Sequence, residues 1–153
     1  MTCLTKDPRQ VAALERRMAA RIAEEPRMGE LYDLLLSIAG FAVTDPEEPD
    51  LEKLLARGEL WGTAGLKQVK GEPISCHANA ARLWMCDREK YAIVTGWAMS
   101  QDGVWRQHSW AVDRKGRIVE TTVSRVAYFG VMLDPEEAAL FALSNVAGVS
   151  RLR

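Results

Sequence analysis

The sequence predicts an α+β fold, with a helical N-terminal part followed by a cysteine-bearing helix packed on an antiparallel sheet of about four strands. Three observations carry this expectation. Apolar residues recur at three- and four-residue steps through the first third of the chain. From Tyr91 onward the pattern changes to short β-rich runs separated by turn residues. A last helix-starting sequence, Asp134-Pro135-Glu136-Glu137, closes the chain.

In order, Asp7-Pro8 reads as an N-cap followed by proline at the first helical position. Val11, Leu14, Met18 and Ile22 form one stripe that ends before Pro26. A second helix is expected from about Met28, through Leu31, Leu34, Leu35 and Ile38, to a stop at Gly40. The segment Asp45-Pro46-Glu47-Glu48-Pro49 reads as a linker, after which Asp50 caps a short helix ending at Gly58. Gly62, Gly65, Gly71 and Pro73 mark an irregular loop. Ser75 then offers an N-cap to a helix from Cys76 to about Asp87, with Ala80, Leu83 and Trp84 facing inward. Strands are expected over Ala92–Met99, Val104–Asp113, Arg117–Val123 and Ala127–Leu133, in a meander. Asp102-Gly103 and Arg114-Lys115-Gly116 supply the first two turns. A final helix runs through Leu140 and Leu143 and closes near Gly148. There is no internal repeat. The expected organisation is one domain over 1–153, with a helical subdomain at 1–58 and an α+β core at 62–148.

Composition narrows the function classes. Of 153 residues, 48% are apolar, enough for a sizeable core without metal or disulfide staples. Twenty basic against 21 acidic residues leave a net charge of −1, without the basic excess of a dedicated nucleic-acid binder. No apolar run approaches the roughly 18–20 residues of a membrane span. Lys6 and Asp7 stand where a secretory signal needs apolar residues, so a cytoplasmic protein is expected. The three cysteines, Cys3, Cys76 and Cys86, are odd in number and read as free thiols. Ten positions on one helix would hold Cys76 and Cys86 about 15 Å apart, too far for a disulfide.

Cys76 is the candidate nucleophile. At the first turn of a helix, free backbone N–H groups and the positive end of the dipole favour thiolate over thiol. His108 lies in the strand Val104–Asp113, on the face shared with Val104, Arg106, Trp110 and Val112. That face is expected to meet the core. A three-residue turn with Gly116 in the left-handed position pairs Asp113 with Arg117. Counting back, Val112 faces Ile118, Trp110 faces Glu120 and His108 faces Thr122. Glu120 then shares the His108 face, diagonal to it at about 7–8 Å between backbones, while Asp113 falls on the opposite face. In this constellation the imidazole moves the thiol proton and the carboxylate orients the imidazole. The Cys76 backbone N–H offers one oxyanion donor, and Gln68 is the side chain nominated for a second.

A cysteine opening a helix, a histidine on a following strand and an acid on the next antiparallel strand resembles the transglutaminase-like branch of the papain-like superfold. Its motif is a His with alternating apolar residues, a turn, and an Asp-Pro-Thr-like acid. Here His108-Ser109-Trp110-Ala111-Val112-Asp113 precedes a turn and Ile118-Val119-Glu120-Thr121-Thr122. The likeness runs from Cys76 to Thr122. It departs from the pattern in Glu120 for Asp, Thr121 for Pro, and His77 directly after the cysteine. The resemblance implies a Cys76–His108–Glu120 triad and thiol chemistry on an acyl or amide group, without implying cross-linking, calcium or any particular substrate. Arylamine acetyltransferases use a similar Cys-His-Asp order but are much larger.

Asn79 is expected to line a pocket beside Cys76, and His77 to be an exposed polar residue. Of the five tryptophans most should fill the core, with Trp97 or Trp105 lining a cleft. Tyr128-Phe129-Gly130 reads only as a strand packed on the sheet. Adjacent Cys76-His77 lacks the spaced ligand pairs of a zinc site, so no metal or other cofactor is expected. The expectation is a small cysteine hydrolase or acyltransferase acting on a peptide, protein or small amide, with the N-terminal helices as a surface for a protein partner. The alternatives are a non-catalytic binding module on the same architecture, or a core with a coincidental Cys, His and Glu.

Overall fold

A computed structural model describes residues 7–147; Cys3 and the expected helix stop at Gly148 lie outside them. The helices are Pro8–Glu24 (α1), Met28–Ile38 (α2), Leu51–Arg57 (α3), Cys76–Cys86 (α4) and Pro135–Ala142 (α5), the last continuing into a π turn over Leu143–Ala147. The strands are Ala42–Val43 (β1), Glu59–Trp61 (β2), Lys67–Gln68 (β3), Ala92–Met99 (β4), Val104–Val112 (β5), Ile118–Glu120 (β6) and Ala127–Met132 (β7). The protein is α+β.

Local chemistry explains most boundaries. The Asp7 carboxylate accepts from the Arg9 N–H, and Pro8 begins α1. At α5, Asp134 and Glu137 exchange side-chain and backbone bonds in a full capping box. Asp50 and Ser75 occupy cap positions, but neither side chain caps its helix. Ser75 instead donates its hydroxyl to the Pro73 carbonyl.

The sheet is larger and less regular than a four-stranded meander. Seven strands run in the order β2-β7-β4-β5-β6-β3, with β1 on β5 besides. β7 pairs with β4 rather than with its predecessor β6. Two pairings, β1 with β5 and β3 with β6, are parallel. The expected strand Arg117–Val123 stops at Glu120, and the loop before α4 contains β2 and β3. The β5–β6 hairpin has the expected register: Ala111 faces Val119, Val112 faces Ile118, and the Asp113 N–H donates to the Arg117 carbonyl. Gly116 closes the turn at φ +76°, a conformation costly for other residues.

Both faces of the sheet are buried, so alternation in β5 does not separate core from solvent. On one face the larger core gathers Met28, Leu31 and Leu35 of α2, Leu54 of α3, and Trp84 of α4 against Trp97 and Trp105. The N-terminal helices and the sheet therefore share one core. The His108 face carries a smaller cluster of Val94, Ala98, Trp110, Val112, Ile118 and Tyr128, with Trp61 and Leu66 packed on it. Trp97, Trp105 and Trp110 are wholly buried, and each contributes about 4–6 kcal/mol of gross hydrophobic burial.

One edge of β5 positions the site. β1 covers Val104 and Trp105 at one end, and β6 covers Ala111 and Val112 at the other. Between them the edge is open, and the start of α4 enters there.

Candidate active site

The segment leading to Cys76 is anchored to the strand that carries Glu120. Lys67 and Gln68 pair with Val119 and Glu120, the Val69 N–H donates to the Glu120 carbonyl, and the Gly71 N–H donates to the Thr121 carbonyl. This pairing brings together residues more than forty positions apart. Asn79 then closes the approach to α4: its amide accepts from the Glu72 N–H at 3.1 Å and donates to the Glu72 carbonyl at 2.8 Å. Gly71 lies against that amide so closely that a Cβ there would stand 2.5 Å from Nδ2.

The structure brings Cys76 and His108 to one pocket wall and bonds His108 to Glu120. The half-buried Cys76 thiol lies beside the His108 imidazole and the Ser109 backbone N–H, both of which act on its ionisation. Nε2 of His108 stands 2.7 Å from Oε1 of Glu120, which leaves Nδ1 as the nitrogen on the thiol side. His108 is 1% exposed and Glu120 is wholly buried. A buried carboxylate needs compensation, and this one has it. Oε1 also accepts from the Tyr128 hydroxyl at 2.8 Å. Oε2 accepts from the Thr121 N–H at 3.0 Å, the Thr122 N–H at 3.2 Å and the Thr122 hydroxyl at 3.3 Å. The rings of Trp110 and Tyr128 pack on His108, with centroids 5.9 and 6.0 Å away.

These contacts set the charges. Burial pushes the Cys76 thiol up, but its bonds to His108 and to the Ser109 N–H outweigh that and hold it below its ordinary value. Burial pushes His108 down, while Cys76 and Glu120 more than reverse this and hold it above its ordinary value. Burial raises Glu120, yet His108, Tyr128 and the Thr122 N–H bring it below the usual carboxylate range. The three shifts favour a thiolate, an imidazolium and a carboxylate in sequence.

His77 is half-buried and bonded rather than exposed. Its Nδ1 is 2.6 Å from the Ser109 hydroxyl, which is 2.9 Å from the Thr95 hydroxyl. Burial and the nearby His108 lower the His77 pKa, against a smaller opposing effect of Asp50, which favours the neutral ring. This polar chain lies on the opposite face from Glu120 and fixes Ser109, whose N–H reaches the thiol.

Cys76 and His108 line an open pocket of about 680 Å³ together with Gln68, Thr121 and Arg125. Gln68 stands at its wall, where Nε2 donates to the Thr122 carbonyl and Oε1 accepts from the Ser124 hydroxyl. Its amide braces the 122–124 loop. Asn79 is buried, with its side chain turned to Glu72 and away from this pocket. Trp97 and Trp105 lie in the core instead of lining a cleft; their indole N–H groups donate to Glu48 Oε1 and to the Ala39 carbonyl. Asp113 is spent on its own turn, accepting from the N–H groups of Lys115 and Arg117 and from the Arg117 guanidinium.

Sequence reasoning missed two contributors. Tyr128 was legible only as an aromatic in a β run, and a hydroxyl bond to a residue three strands away in the sheet leaves no local signal. Ser109 beside His108 carried a weak one, as a small polar residue on a face with Trp105 and Ala111.

Among the described residues no group of His, Cys, Asp and Glu side chains is arranged to hold a metal ion, and no helix is long and apolar enough to cross a membrane. The fold and site together define an α+β protein in which a half-buried thiol and a buried imidazole–carboxylate pair meet at one pocket. No family model, curated protein or solved structure matches the chain.

Proposed function

We propose that this protein is a thiol-dependent hydrolase or acyltransferase of the transglutaminase-like, papain-like kind, with Cys76, His108 and Glu120 as its triad. The observation that carries the reading is the juxtaposition of the Cys76 thiol with His108, whose Nε2 stands 2.7 Å from Oε1 of Glu120. In the proposed reaction the thiolate attacks an acyl carbon, a C–S bond forms, and the carbonyl electron pair moves to oxygen. His108 gives its proton to the departing amine or alkoxide as that bond breaks. Water or an acceptor amine then attacks the thioester, passes a proton to His108 and releases the thiolate. Glu120 keeps the imidazole oriented and its positive charge matched throughout. The Cys76 N–H, at the first helical position, has no intrahelical acceptor and can donate to the oxyanion. Gln68 gives one amide N–H to the Thr122 carbonyl and has a second N–H with which to serve as another donor. Free thiols at Cys76 and Cys86 suit a reducing, cytoplasmic setting.

The test is iodoacetamide labelling of Cys76 against pH in wild type and His108→Ala. At about pH 6 the wild type should label at least ~10-fold faster than a free cysteine, and the variant should lose that advantage. Labelling that follows ordinary thiol ionisation near pH ~8.5 in both proteins would sink the proposal.

A further inference from the structure

The pocket over Cys76 has an uneven charge. Lys70, Arg106 and Arg125 line it, and no carboxylate does, although the chain as a whole carries a net charge of −1. Arg106 is committed to Asp102, at 2.8 Å. Lys70 and Arg125 have no ion-pair partner among the described residues.

A second observation concerns two residues of the same lining. Four buried side-chain polar atoms among the described residues have no hydrogen-bond partner, and two of them, Arg125 Nη1 and Thr121 Oγ1, belong to residues lining this pocket. Thr121 is 3% exposed. A guanidinium nitrogen shielded from solvent and left unbonded is costly in the free protein, and a turn of the partly exposed Arg125 side chain toward a ligand acceptor in the pocket removes that cost. Hydroxyl and guanidinium together can both donate to one carboxylate, and the planar guanidinium suits that group.

Resting on the triad reading above, we propose that the acyl compound taken by Cys76 carries a carboxylate, as in an N-acyl amino acid, held by Arg125 and Thr121 with Lys70 at the mouth. Arg125 is then a specificity residue. Its backbone N–H bonds the Tyr128 hydroxyl, which ties the loop carrying the guanidinium to the Glu120 network.

The experiment compares N-iodoacetylglycine with N-iodoacetylglycinamide, which share one electrophile and differ only in a remote charge. Alkylation of Cys76 is measured in a Cys3→Ser, Cys86→Ser background, and the ratio of the two rate constants is divided by the same ratio for free cysteine. The normalised ratio should favour the anionic reagent about tenfold, the factor one charge-assisted hydrogen bond typically carries. Arg125→Met should bring it to within about twofold of unity, with Arg16→Met, exposed and outside the pocket lining, leaving it unchanged. In parallel, N-acetylglycine but not N-acetylglycinamide should raise the unfolding temperature of the wild type, and neither should affect Arg125→Met. A normalised ratio near one in the wild type, or a preference that survives Arg125→Met, overturns the proposal. Slow alkylation by both reagents with the ratio intact would contradict the activated thiol and leave the anion site standing. If alkylation is too slow to read, the unfolding shifts decide.

Discussion

Tyr128 donates its hydroxyl to Oε1 of Glu120 at 2.8 Å, onto the oxygen that also faces Nε2 of His108 at 2.7 Å. The same hydroxyl accepts the Arg125 backbone N–H at 2.9 Å. One phenol thus links the buried carboxylate to the loop at the pocket wall. Tyr128→Phe keeps the ring packing on His108 and Trp110 and removes only these bonds. It should cost about 1.5–3 kcal/mol of stability in urea unfolding, because the lost bond is to a charged group. Thiol labelling should stay within a few-fold of wild type, since the imidazole keeps its carboxylate.

Glu120→Gln removes the charge and leaves the shape. The imidazolium then faces an amide, and the variant should lose about 3 kcal/mol of stability at neutral pH, the usual cost of breaking a buried pair. Its thiol should label on the order of 10²-fold more slowly at about pH 6, as the thiolate loses a stabilised imidazolium. Equal labelling rates in the two proteins would exclude an orienting role for Glu120.

The pH dependence of stability follows from the directions of the shifts. Glu120 has a depressed pKa in the folded protein, so its contribution is present above its unfolded value and lost as pH falls through the folded one. His108 is raised, so its contribution is full below its unfolded value and lost as pH rises through the folded one. Stability to urea should therefore weaken as pH falls below the ordinary carboxylate range and through the lower value Glu120 has in the folded protein, and the Glu120→Gln variant should have a flatter acid limb. Parallel acid limbs would contradict a compensated carboxylate.

Gly130 faces Gly96 across the β4–β7 pairing. A Cβ on it would stand 2.8 Å from the Trp110 ring and 2.8 Å from the Thr95 carbonyl. Gly130→Ala should cost about 1–3 kcal/mol through overpacking and displace the indole that stacks on His108. The measurement is unfolding together with the His108 ring resonances, which should shift with the indole.

Ile74, two residues before Cys76, has φ +63° and is 99% exposed at the pocket rim. A β-branched residue in this conformation is strained by about 1–3 kcal/mol, and exposure offers it no packing in return. Ile74→Gly should raise stability by about 1 kcal/mol after the entropy lost by glycine. A fall in stability would mean that the side chain makes a contact in solution that the exposed geometry lacks.

Much of this arrangement was legible where the chemistry is local. The Asp113–Gly116 turn set the β5–β6 register, and that register alone put Glu120 on the His108 face. The Asp134 capping box and the β4, β5 and β7 spans were equally plain. The short strands β1, β2 and β3 were hidden, because two or three residues cannot display an alternation. Ser75 and Asp50 looked like caps by identity, but each side chain found another partner, the Pro73 carbonyl and Lys53. Trp105 and Trp110 are of opposite parity and both wholly buried, so neither could say which face of β5 met the larger core. His77 followed the nucleophile and looked exposed; its bond to Ser109 exists only because α4 enters the open edge of β5.

The central claim is that the imidazole ionises the thiol. Titration of Cys76 thiolate by ultraviolet absorbance, in a Cys3→Ser, Cys86→Ser background, tests it most directly. Thiolate should form well below about pH 8.5, and His108→Ala should move its appearance above that value, since burial alone pushes the thiol up. A single titration near or above pH ~8.5 that His108→Ala leaves in place would contradict the account.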